Sequence, residues 1–233
     1  MAERSRPGAG VWIAALVAGL VGAAIGAAAM AAFSGPLVRS YLLDNPEVLP
    51  EAMERLRSRE VAGVVEQNRA AIETPFHSAW AGAAGADVVL VEFFDYACGY
   101  CRASNPDVER LLREDPRLKV VWREFPVLGP NSEQAAVASL AAARAGRFRA
   151  FHDRLFAAGR PTEANVAAAR ESVGVGEASL TEEFRGELQR NFELARAIGA
   201  TGTPTFVIGD QVLQGAVGYE ALRDAIRQAR ARG

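Results

Sequence analysis

The sequence has very few residues of the kinds that build covalent or metal cross-links. Its 233 residues include only two cysteines and two histidines. The cysteines stand three positions apart, as Cys98 and Cys101, so a disulfide between them closes a loop too short to stabilise the fold much. A structural zinc site needs four ligands, and His77 and His152 are far from the pair in sequence. The sequence therefore predicts neither a disulfide scaffold nor a metal site, and it predicts structural roles for both histidines.

An excess of charge of one sign is also missing. The chain carries 26 basic and 28 acidic residues, for a formal net charge of -2. A nucleic-acid-binding surface needs clustered positive charge, and no such cluster occurs here. We therefore expect no nucleic-acid partner. Because 50% of the residues are hydrophobic, the chain can form one good core plus an appendage.

The N-terminal region lacks charge over a long stretch. No charged residue occurs from Val11 to Phe33, which reaches the roughly 20 residues that a helix needs to cross a bilayer. Arg4 and Arg6 precede this stretch and favour a cytoplasmic N-terminus. The small residues of Ala27–Ala31 leave a cleaved signal peptide as the alternative, although signal peptides usually have a shorter apolar stretch. We expect residues 1–36 to form a cytoplasmic tip with a transmembrane anchor, or a signal sequence, and the rest to be exported.

Residues 37–75 have the pattern of a helical stalk. The run Asp44-Asn45-Pro46 is typical of a helix start. Apolar residues then recur at roughly helical spacing, at Leu49, Met53, Leu56, Val61, Val64, Val65 and Ile72. This amphipathic stripe either packs on the rest of the chain or pairs with other copies of it, and the sequence leaves both uses open.

Residues 76–233 have the pattern of one α/β domain. Valine-rich apolar runs predict buried strands at Asp87–Phe94 and Leu118–Phe125, with a helix between them that begins near the cysteines. Helical segments separated by glycine-containing turns occupy about 132–199. A hairpin around Gly209 and a helix over Tyr219–Arg230 close the chain. This order is that of a thioredoxin fold with an inserted helical subdomain.

Two segments resemble the DsbA-like family of thioredoxin-fold disulfide oxidoreductases. Phe93–Cys101 (Phe-Phe-Asp-Tyr-Ala-Cys-Gly-Tyr-Cys) looks like the active-site segment of that family, and Thr201–Phe206 looks like its cis-proline loop. The resemblance covers roughly Asp87 to the C-terminus. More loosely, Tyr41–Pro46 resembles the N-terminal segment of ScsC-type members, in which such a segment oligomerises the protein. The resemblance implies a thiol-disulfide oxidoreductase that needs no cofactor.

The two cysteines are predicted to have different roles in this chemistry. Disulfide exchange requires a thiolate, and a free cysteine has a pKa near about 8.5. The unpaired N–H groups and the dipole at a helix N-terminus favour the anion, so Cys98, which starts the helix, is predicted to be the nucleophile. Cys101 lies one turn further and is predicted to be the resolving thiol, which attacks the mixed disulfide formed with a substrate.

The neighbours of the cysteines are predicted to tune the site. Gly99 and Tyr100 should influence the stability of the reduced state. Many DsbA-like enzymes have His where this chain has Tyr100, so a strongly oxidising potential is not predicted; a plain surface aromatic is the alternative. The resemblance places Glu92 beneath the resolving cysteine as a buried carboxylate with a raised pKa, able to relay a proton. Otherwise it is a strand carboxylate satisfied by Arg or by solvent.

The loop before the hairpin is predicted to bind substrate. An X-Pro bond in so tight a loop is where a cis peptide is tolerated, so Pro204 should be cis and its loop should lie beside Cys98. Thr203 is then placed to offer backbone groups to an extended substrate.

The sequence thus predicts an oxidoreductase on the periplasmic side of the bacterial inner membrane, with a single N-terminal anchor or free after cleavage. Its expected partners are exported proteins with cysteines, a membrane redox partner that regenerates the active form, and other copies of the chain through the stalk. It acts as oxidant, or as isomerase or reductase. The alternative is a tethered thioredoxin-like binding module or copper-handling protein without turnover.

Overall fold

The computed structural model describes residues 9–232, and for residues 9–15, 28, 29, 31–34 and 36 it describes the backbone alone. Arg4 and Arg6, on which the predicted orientation depends, lie outside the described residues. The helices within that range are α1 (Ala9–Asp44), α2 (Val48–Glu73), α3 (Gly99–Glu114), α4 (Pro130–Arg144), α5 (Phe148–Ala157), α6 (Glu163–Ser172), α7 (Glu182–Ala197) and α8 (Tyr219–Arg232). The strands are β1 (Trp80–Gly82), β2 (Val88–Phe94), β3 (Leu118–Glu124), β4 (Thr205–Ile208) and β5 (Gln211–Gln214).

The chain divides into two compact units, and the first of them ends at Leu56. This unit contains α1 and the first turns of α2. Helix α1 continues through residue 36, where the sequence predicts the end of the membrane segment. Among the residues that the structure describes, no helix combines the length and the apolar composition that a membrane crossing requires. The transmembrane helix predicted over Val11–Phe33 is therefore not supported by the structure.

The second unit, from Arg57 onward, is built around a mixed β-sheet. Its strands follow the order β1-β3-β2-β4-β5. β2 and β3 are parallel, from Val88 opposite Leu118 to Phe94 opposite Glu124, and the other neighbours are antiparallel. β4 and β5 form the predicted hairpin. Its turn places Gly209 at a φ of 61°, a conformation that glycine adopts at little cost.

The side chains of the central strands alternate between two cores. In β2, Leu90 and Phe94 contribute to the first core, which is completed by α3, α4, α5, α6 and α8. Val91 and Phe93 contribute to the second core, which is completed by α2 and α7. Because side chains alternate along a strand, Glu92 lies on the same face of β2 as Leu90 and Phe94. Helices α4 to α7 lie between β3 and β4, so the structure is the mixed α/β thioredoxin-like fold that the sequence predicts.

The C-terminal half of α2 belongs to this second unit. Val65 and Ile72 are buried in the second core, so this part of the amphipathic stripe packs on the chain itself. Leu49, Met53 and Leu56, in the first unit, have exposed side chains. The predicted oligomerisation through the stalk stays a prediction.

A buried arginine fixes the end of α2. Arg123 of β3 is 3% exposed, and its Nε donates to the carbonyl oxygen of Ile72 at 2.8 Å. Its Nη1 donates to Glu187 at 3.0 Å and to Asn191 at 2.7 Å, both on α7. The guanidinium thus meets the carbonyl end of one helix and a carboxylate of another, which compensates for the burial of its charge.

Candidate active site

Cys98 lies at the start of α3, directly after the loop that leaves β2. It is the N-cap residue of the helix, with extended backbone angles of φ -78° and ψ 119°. Its N–H donates to the carbonyl oxygen of Asp95 at 3.0 Å, and its own carbonyl accepts from the N–H of Arg102 at 3.2 Å. The unpaired N–H groups of the first helical turn therefore lie beside this residue. The structure confirms the predicted position of Cys98 at a helix N-terminus.

Hydrogen-bond donors surround the sulfur of Cys98. The thiol of Cys101 donates to it, and this bond is the main reason why the pKa of Cys98 falls from 9.0 to about 5. The side chain of Thr203 and the N–H groups of Cys101 and Tyr100 lower the pKa further, whereas burial raises it. The carbonyl oxygen of Thr203 lies 3.2 Å from Sγ and accepts from the protonated thiol, which by itself favours the thiol. The donors outweigh it, so Cys98 is mainly a thiolate at neutral pH.

Cys101 has the opposite properties. It lies in the first turn of α3 and is fully buried. Burial is the main cause that raises its pKa far above 9.0, and the hydrogen bond to Cys98 and the charge of Glu92 act in the same direction. Both cysteines are free in the structure. The pair therefore consists of one thiolate, on a residue that is 6% exposed, and one fully buried thiol that retains its proton.

Glu92 lies beneath this pair in the first core. It is 0% exposed, and its Oε2 accepts a hydrogen bond from Nε1 of Trp122 at 3.1 Å. Its Oε1 finds no partner among the residues that the structure describes. Burial raises its pKa from 4.5 to about 8, against the effect of the Trp122 bond, and the nearby Cys98 adds to the rise. None of the arginines that the structure describes bonds to it, and its full burial keeps solvent away, which differs from the alternative of a strand carboxylate satisfied by Arg or by solvent.

The predicted cis-proline loop lies against Cys98. The peptide bond between Thr203 and Pro204 is cis, as predicted. Pro204 directly precedes β4, which pairs with β2. The loop therefore brings the backbone of Thr203 to the sulfur of Cys98 over a sequence separation of 105 residues.

The two residues between the cysteines face solvent. The side chain of Tyr100 is 69% exposed, and a Cβ added to Gly99 would meet no other atom within 4 Å. Their contribution to the site is therefore mainly that of the helix backbone. Within residues 9–232, no group of three or more His, Cys, Asp or Glu side chains could hold a metal ion.

Sequence reasoning missed the residue that fixes the active-site loop. Asp95 is 1% exposed, and its Oδ1 accepts from the N–H of Ala97 at 2.8 Å. Its Oδ2 accepts from the N–H groups of Val127 and Leu128, at 2.9 and 3.0 Å, in the loop after β3. One carboxylate thus holds two loops together at the carboxyl ends of β2 and β3. A carboxylate between an apolar strand and a cysteine was the signal available in the sequence.

A buried polar cluster behind the loop was also missed. The hydroxyl of Tyr96 lies 2.9 Å from Oγ of Ser139 and 3.3 Å from Nδ1 of His152. Glu124, at the end of β3, is a further buried acid and is 3% exposed. His152 is therefore a satisfied core histidine, as predicted. His77 instead pairs with Glu183 at the surface, at 3.0 Å.

A mixed sheet, a cis-proline loop and a dithiol at a helix N-terminus define a thioredoxin-like protein with a redox-type cysteine pair. Residues 89–227 match the model of the DSBA-like thioredoxin domain, and the chain belongs to that family. Residues 35–62 match the model of the copper resistance protein ScsC N-terminal domain.

Solved structures agree with this assignment. A linker-deletion mutant of ScsC from Proteus mirabilis is 32% identical, with a TM-score of 0.72, over 84% of this chain and 93% of that chain. A periplasmic thioredoxin-like protein from Salmonella enterica serovar Typhimurium is 30% identical, with a TM-score of 0.65, over 70% of this chain and 95% of that chain.

A longer curated protein also contains a similar segment. The Na(+)/H(+) antiporter NhaA 3 of Salinispora tropica is 31% identical over 152 residues, which are 62% of this chain and 23% of that protein. The chain therefore matches less than a quarter of the length of this curated relative.

Proposed function

We propose that this protein is a thiol-disulfide oxidoreductase that exchanges disulfides with exported proteins through Cys98 and Cys101. The observation that carries the proposal is the asymmetry of the two thiols. Cys98 has a pKa lowered to about 5 and lies beside the cis-proline loop, whereas Cys101 is buried and keeps its proton. A structural disulfide does not require two thiols of different pKa. An exchange reaction requires one sulfur that attacks or leaves easily and a second that resolves the mixed disulfide.

The exchange can be written from the oxidised enzyme. A client thiolate attacks Sγ of Cys98, the bond between Cys98 and Cys101 breaks, and Cys101 leaves with the electron pair. A second client thiolate then attacks the client sulfur of this mixed disulfide, which releases Cys98 as a thiolate. The client gains a disulfide, and the enzyme disulfide is reduced by the same two electrons. In the reverse direction, the Cys98 thiolate attacks a client disulfide and Cys101 resolves the intermediate.

Glu92 is proposed to supply the proton for the buried sulfur. When Cys101 leaves as a thiolate, its high pKa means that it must gain a proton. With a pKa near 8, Glu92 is mostly protonated at neutral pH and lies close enough to Cys101 to influence its charge. In the reverse direction the Glu92 carboxylate accepts the proton before Cys101 attacks.

The low pKa of Cys98 favours oxidation of clients. A stable Cys98 thiolate stabilises the reduced enzyme, so the enzyme disulfide is readily given away. A pKa near 5 lies between the values of about 3.5 and about 7 that accompany potentials of about -120 and -270 mV in thioredoxin-fold proteins. We expect a potential between these limits. An isomerase role would additionally need assembly of several copies.

Location, anchoring and assembly belong to the same proposal. Self-association through the stalk is proposed on the resemblance to ScsC-type members, and residues 35–62 match the model of the ScsC N-terminal domain. The Salmonella structure is of a periplasmic protein, which supports export of this chain. An N-terminal anchor at the inner membrane and a membrane redox partner are proposed on the sequence pattern alone.

Copper handling without turnover is the second candidate, because the N-terminal match is named for copper resistance. A Cu(I) site built from the pair needs both sulfurs as thiolates. The raised pKa of Cys101 opposes this, since its buried proton must first be lost. The structure of the pair therefore favours exchange over metal binding.

The test uses the full-length chain in two assays, insulin reduction and refolding of reduced ribonuclease. Cys98→Ser should abolish both activities, whereas Cys101→Ser should accumulate mixed disulfides with clients. Copper titration of the same proteins follows, with size-exclusion chromatography to measure assembly. The proposal is supported if the wild type turns over and the two variants, Cys98→Ser and Cys101→Ser, do not. Stoichiometric copper binding with no turnover in either assay would contradict the enzyme interpretation and favour copper handling.

A further inference from the structure

Gln214 is a surface residue whose side chain is bonded to the loop beside the active site. It is the last residue of β5 and stands opposite Thr205, the first residue of β4. Its side chain reaches the segment 199–201, which follows α7 and leads to Thr203. The exchange chemistry gives Gln214 no role, so these bonds need a separate explanation.

The carboxamide of Gln214 uses both its donor and its acceptor on this loop. Its Nε2 donates to the carbonyl oxygen of Gly199 at 3.0 Å. Its Oε1 accepts from the N–H of Thr201 at 3.2 Å and also from the hydroxyl of Thr201. An amide carries both kinds of group, whereas a carboxylate has only acceptors and an apolar side chain has neither. The set of three bonds therefore requires an amide at position 214.

Thr201 depends on Gln214 for its position. Among the residues that the structure describes, Gln214 is the one hydrogen-bond partner of the N–H and of the hydroxyl of Thr201. The residues on either side have partners of their own. The N–H of Ala200 donates to a carbonyl oxygen in the last turn of α7 at 2.8 Å, and the carbonyl oxygen of Gly202 accepts from the hydroxyl of Thr205 at 2.8 Å. Loss of the amide would therefore release the middle of the loop.

Thr203 follows two residues later and meets the nucleophile. Its carbonyl oxygen lies 3.2 Å from Sγ of Cys98. Thr203 is also the residue predicted to offer backbone groups to an extended client, in the manner of an added strand. Such hydrogen bonds weaken steeply when donor and acceptor are misaligned. If Thr201 were free to move, a client would have to order the loop as it binds, which lowers its affinity.

We propose that Gln214 is a positioning residue that orders the loop 199–203 and thereby presents the backbone of Thr203 to an extended polypeptide client beside Cys98. The proposal rests on the proposed exchange function. It concerns the binding of clients and not the chemistry of the sulfurs, because the side-chain bonds of Gln214 in the described structure go to Gly199 and Thr201 alone.

The test compares Gln214→Met with Gln211→Met in the full-length chain. Met has nearly the length of Gln but lacks the N–H donors and the carbonyl acceptor. Gln211 is the matched control, because it stands at the other end of β5, opposite Ile208, and its Nε2 has no partner among the described residues. The control therefore makes the same chemical change on the same strand without the loss of a bond to the loop.

Two substrates separate client binding from sulfur chemistry. The first is a short unstructured peptide whose single cysteine is blocked as the mixed disulfide with 2-mercaptoethanol. The second is bis(2-hydroxyethyl) disulfide, which has no peptide groups. With either, the Cys98 thiolate attacks one sulfur and the other leaves, and Cys101 then attacks Cys98 and releases the first. The two electrons, the Cys101 proton and the Cys98 charge pass to the two released sulfurs.

Single-turnover rates are measured against the concentration of each substrate. Gln214→Met should raise the peptide concentration at half-maximal rate about threefold to tenfold, as expected for the loss of one well-placed hydrogen bond, and leave the maximal rate unchanged. The rate with the small disulfide should stay at its wild-type value. Thr201→Val, which removes the hydroxyl bond, should weaken peptide binding in the wild type and have no further effect in Gln214→Met. Gln211→Met should match the wild type throughout.

Amide hydrogen exchange tests the ordering of the loop without any substrate. A fragment that covers residues 199–203 should exchange faster in Gln214→Met and at the wild-type rate in Gln211→Met. Equal exchange in all three proteins, or an equal loss of rate with both disulfides, would overturn the proposal. A wild type that reacts with the small disulfide but not with the peptide would contradict the exchange function, and the loop exchange would then decide the positioning role alone.

Discussion

Replacing Glu92 by Gln tests the buried carboxyl through the pH dependence of stability. Glu92 is fully buried, and its pKa is raised from 4.5 to about 8 in the folded protein. Gln has nearly the same shape and can still accept the hydrogen bond from Trp122, which lies 3.1 Å from Oε2. The substitution therefore removes the titration while leaving the packing of the first core in place.

The sign and size of the effect follow from proton linkage. Between pH 4.5 and about 8 the folded protein holds a proton on Glu92 that the unfolded chain has lost. Wild-type stability should therefore fall as pH rises through this window, by about 1.4 kcal/mol per pH unit and about 5 kcal/mol in total. Glu92→Gln lacks this loss. A constant offset of about 1–3 kcal/mol is expected because the new amide N–H groups lack a partner near Oε1.

The assay is urea unfolding of the full-length reduced proteins at half-unit steps from pH 4 to pH 9. The free energy difference between the two proteins should be flat below pH 4.5 and should then grow in favour of the Gln variant. Glu177→Gln, at an exposed loop position, is the matched control and should give a flat difference throughout. A flat difference for Glu92→Gln as well would refute the raised pKa and, with it, the proton-donor role.

Three further outcomes are expected. Cys101→Ala removes the main donor to Cys98, so the pKa of Cys98 should rise from about 5, as measured by alkylation rate against pH; an unchanged profile would contradict the assigned cause. Arg123→Met should lower the unfolding free energy by about 1–3 kcal/mol, since the carbonyl oxygen of Ile72 loses its donor and Glu187 keeps only its bond to Arg190, whereas Arg154→Met at the surface should change it little. The reduction potential should fall by about 59 mV per pH unit below pH 5 and by about 30 mV per pH unit above it, because above pH 5 Cys98 stays ionised and reduction takes up one proton fewer. A single slope across the whole pH range would exclude a Cys98 pKa near 5.

The central strands and the hairpin were predictable because their signals are local. A continuous apolar run predicted a strand at Asp87–Phe94, and β2 occupies Val88–Phe94. β1 was missed because three residues are too short to show a period of two. Helix α3 continues through Pro106, although a proline inside a helix commonly kinks or ends it. A proline removes one backbone hydrogen bond, and Val108 and Leu111 anchor the helix in the first core beyond it.

The position of the cysteine pair was predictable for the same reason, and the contacts that support it were not. Cys98 and Cys101 are three residues apart, so a single local pattern places one at the N-cap of α3 and the other in its first turn. The contacts of Tyr96 with Ser139 and His152 span 43 and 56 residues of sequence. They exist only because α4 and α5 dock on the first core, which no local pattern describes. The role of Asp95 likewise becomes visible only when the loops that follow β2 and β3 lie side by side.

The site contains three buried acidic groups, Cys98, Cys101 and Glu92, of which one carries a negative charge in the reduced protein at neutral pH. A charge on Cys98 raises the pKa of Glu92 and of Cys101, and a charge on Glu92 raises the pKa of Cys101, so ionisation of Cys98 opposes ionisation of the other two groups. The N-terminus of α3 and the Cys101 thiol select Cys98 for that charge. When the disulfide forms, the charge disappears and Glu92 no longer faces a thiolate. The affinity of Glu92 for its proton should therefore be highest in the reduced enzyme, which links proton uptake to electron uptake within a single buried cluster.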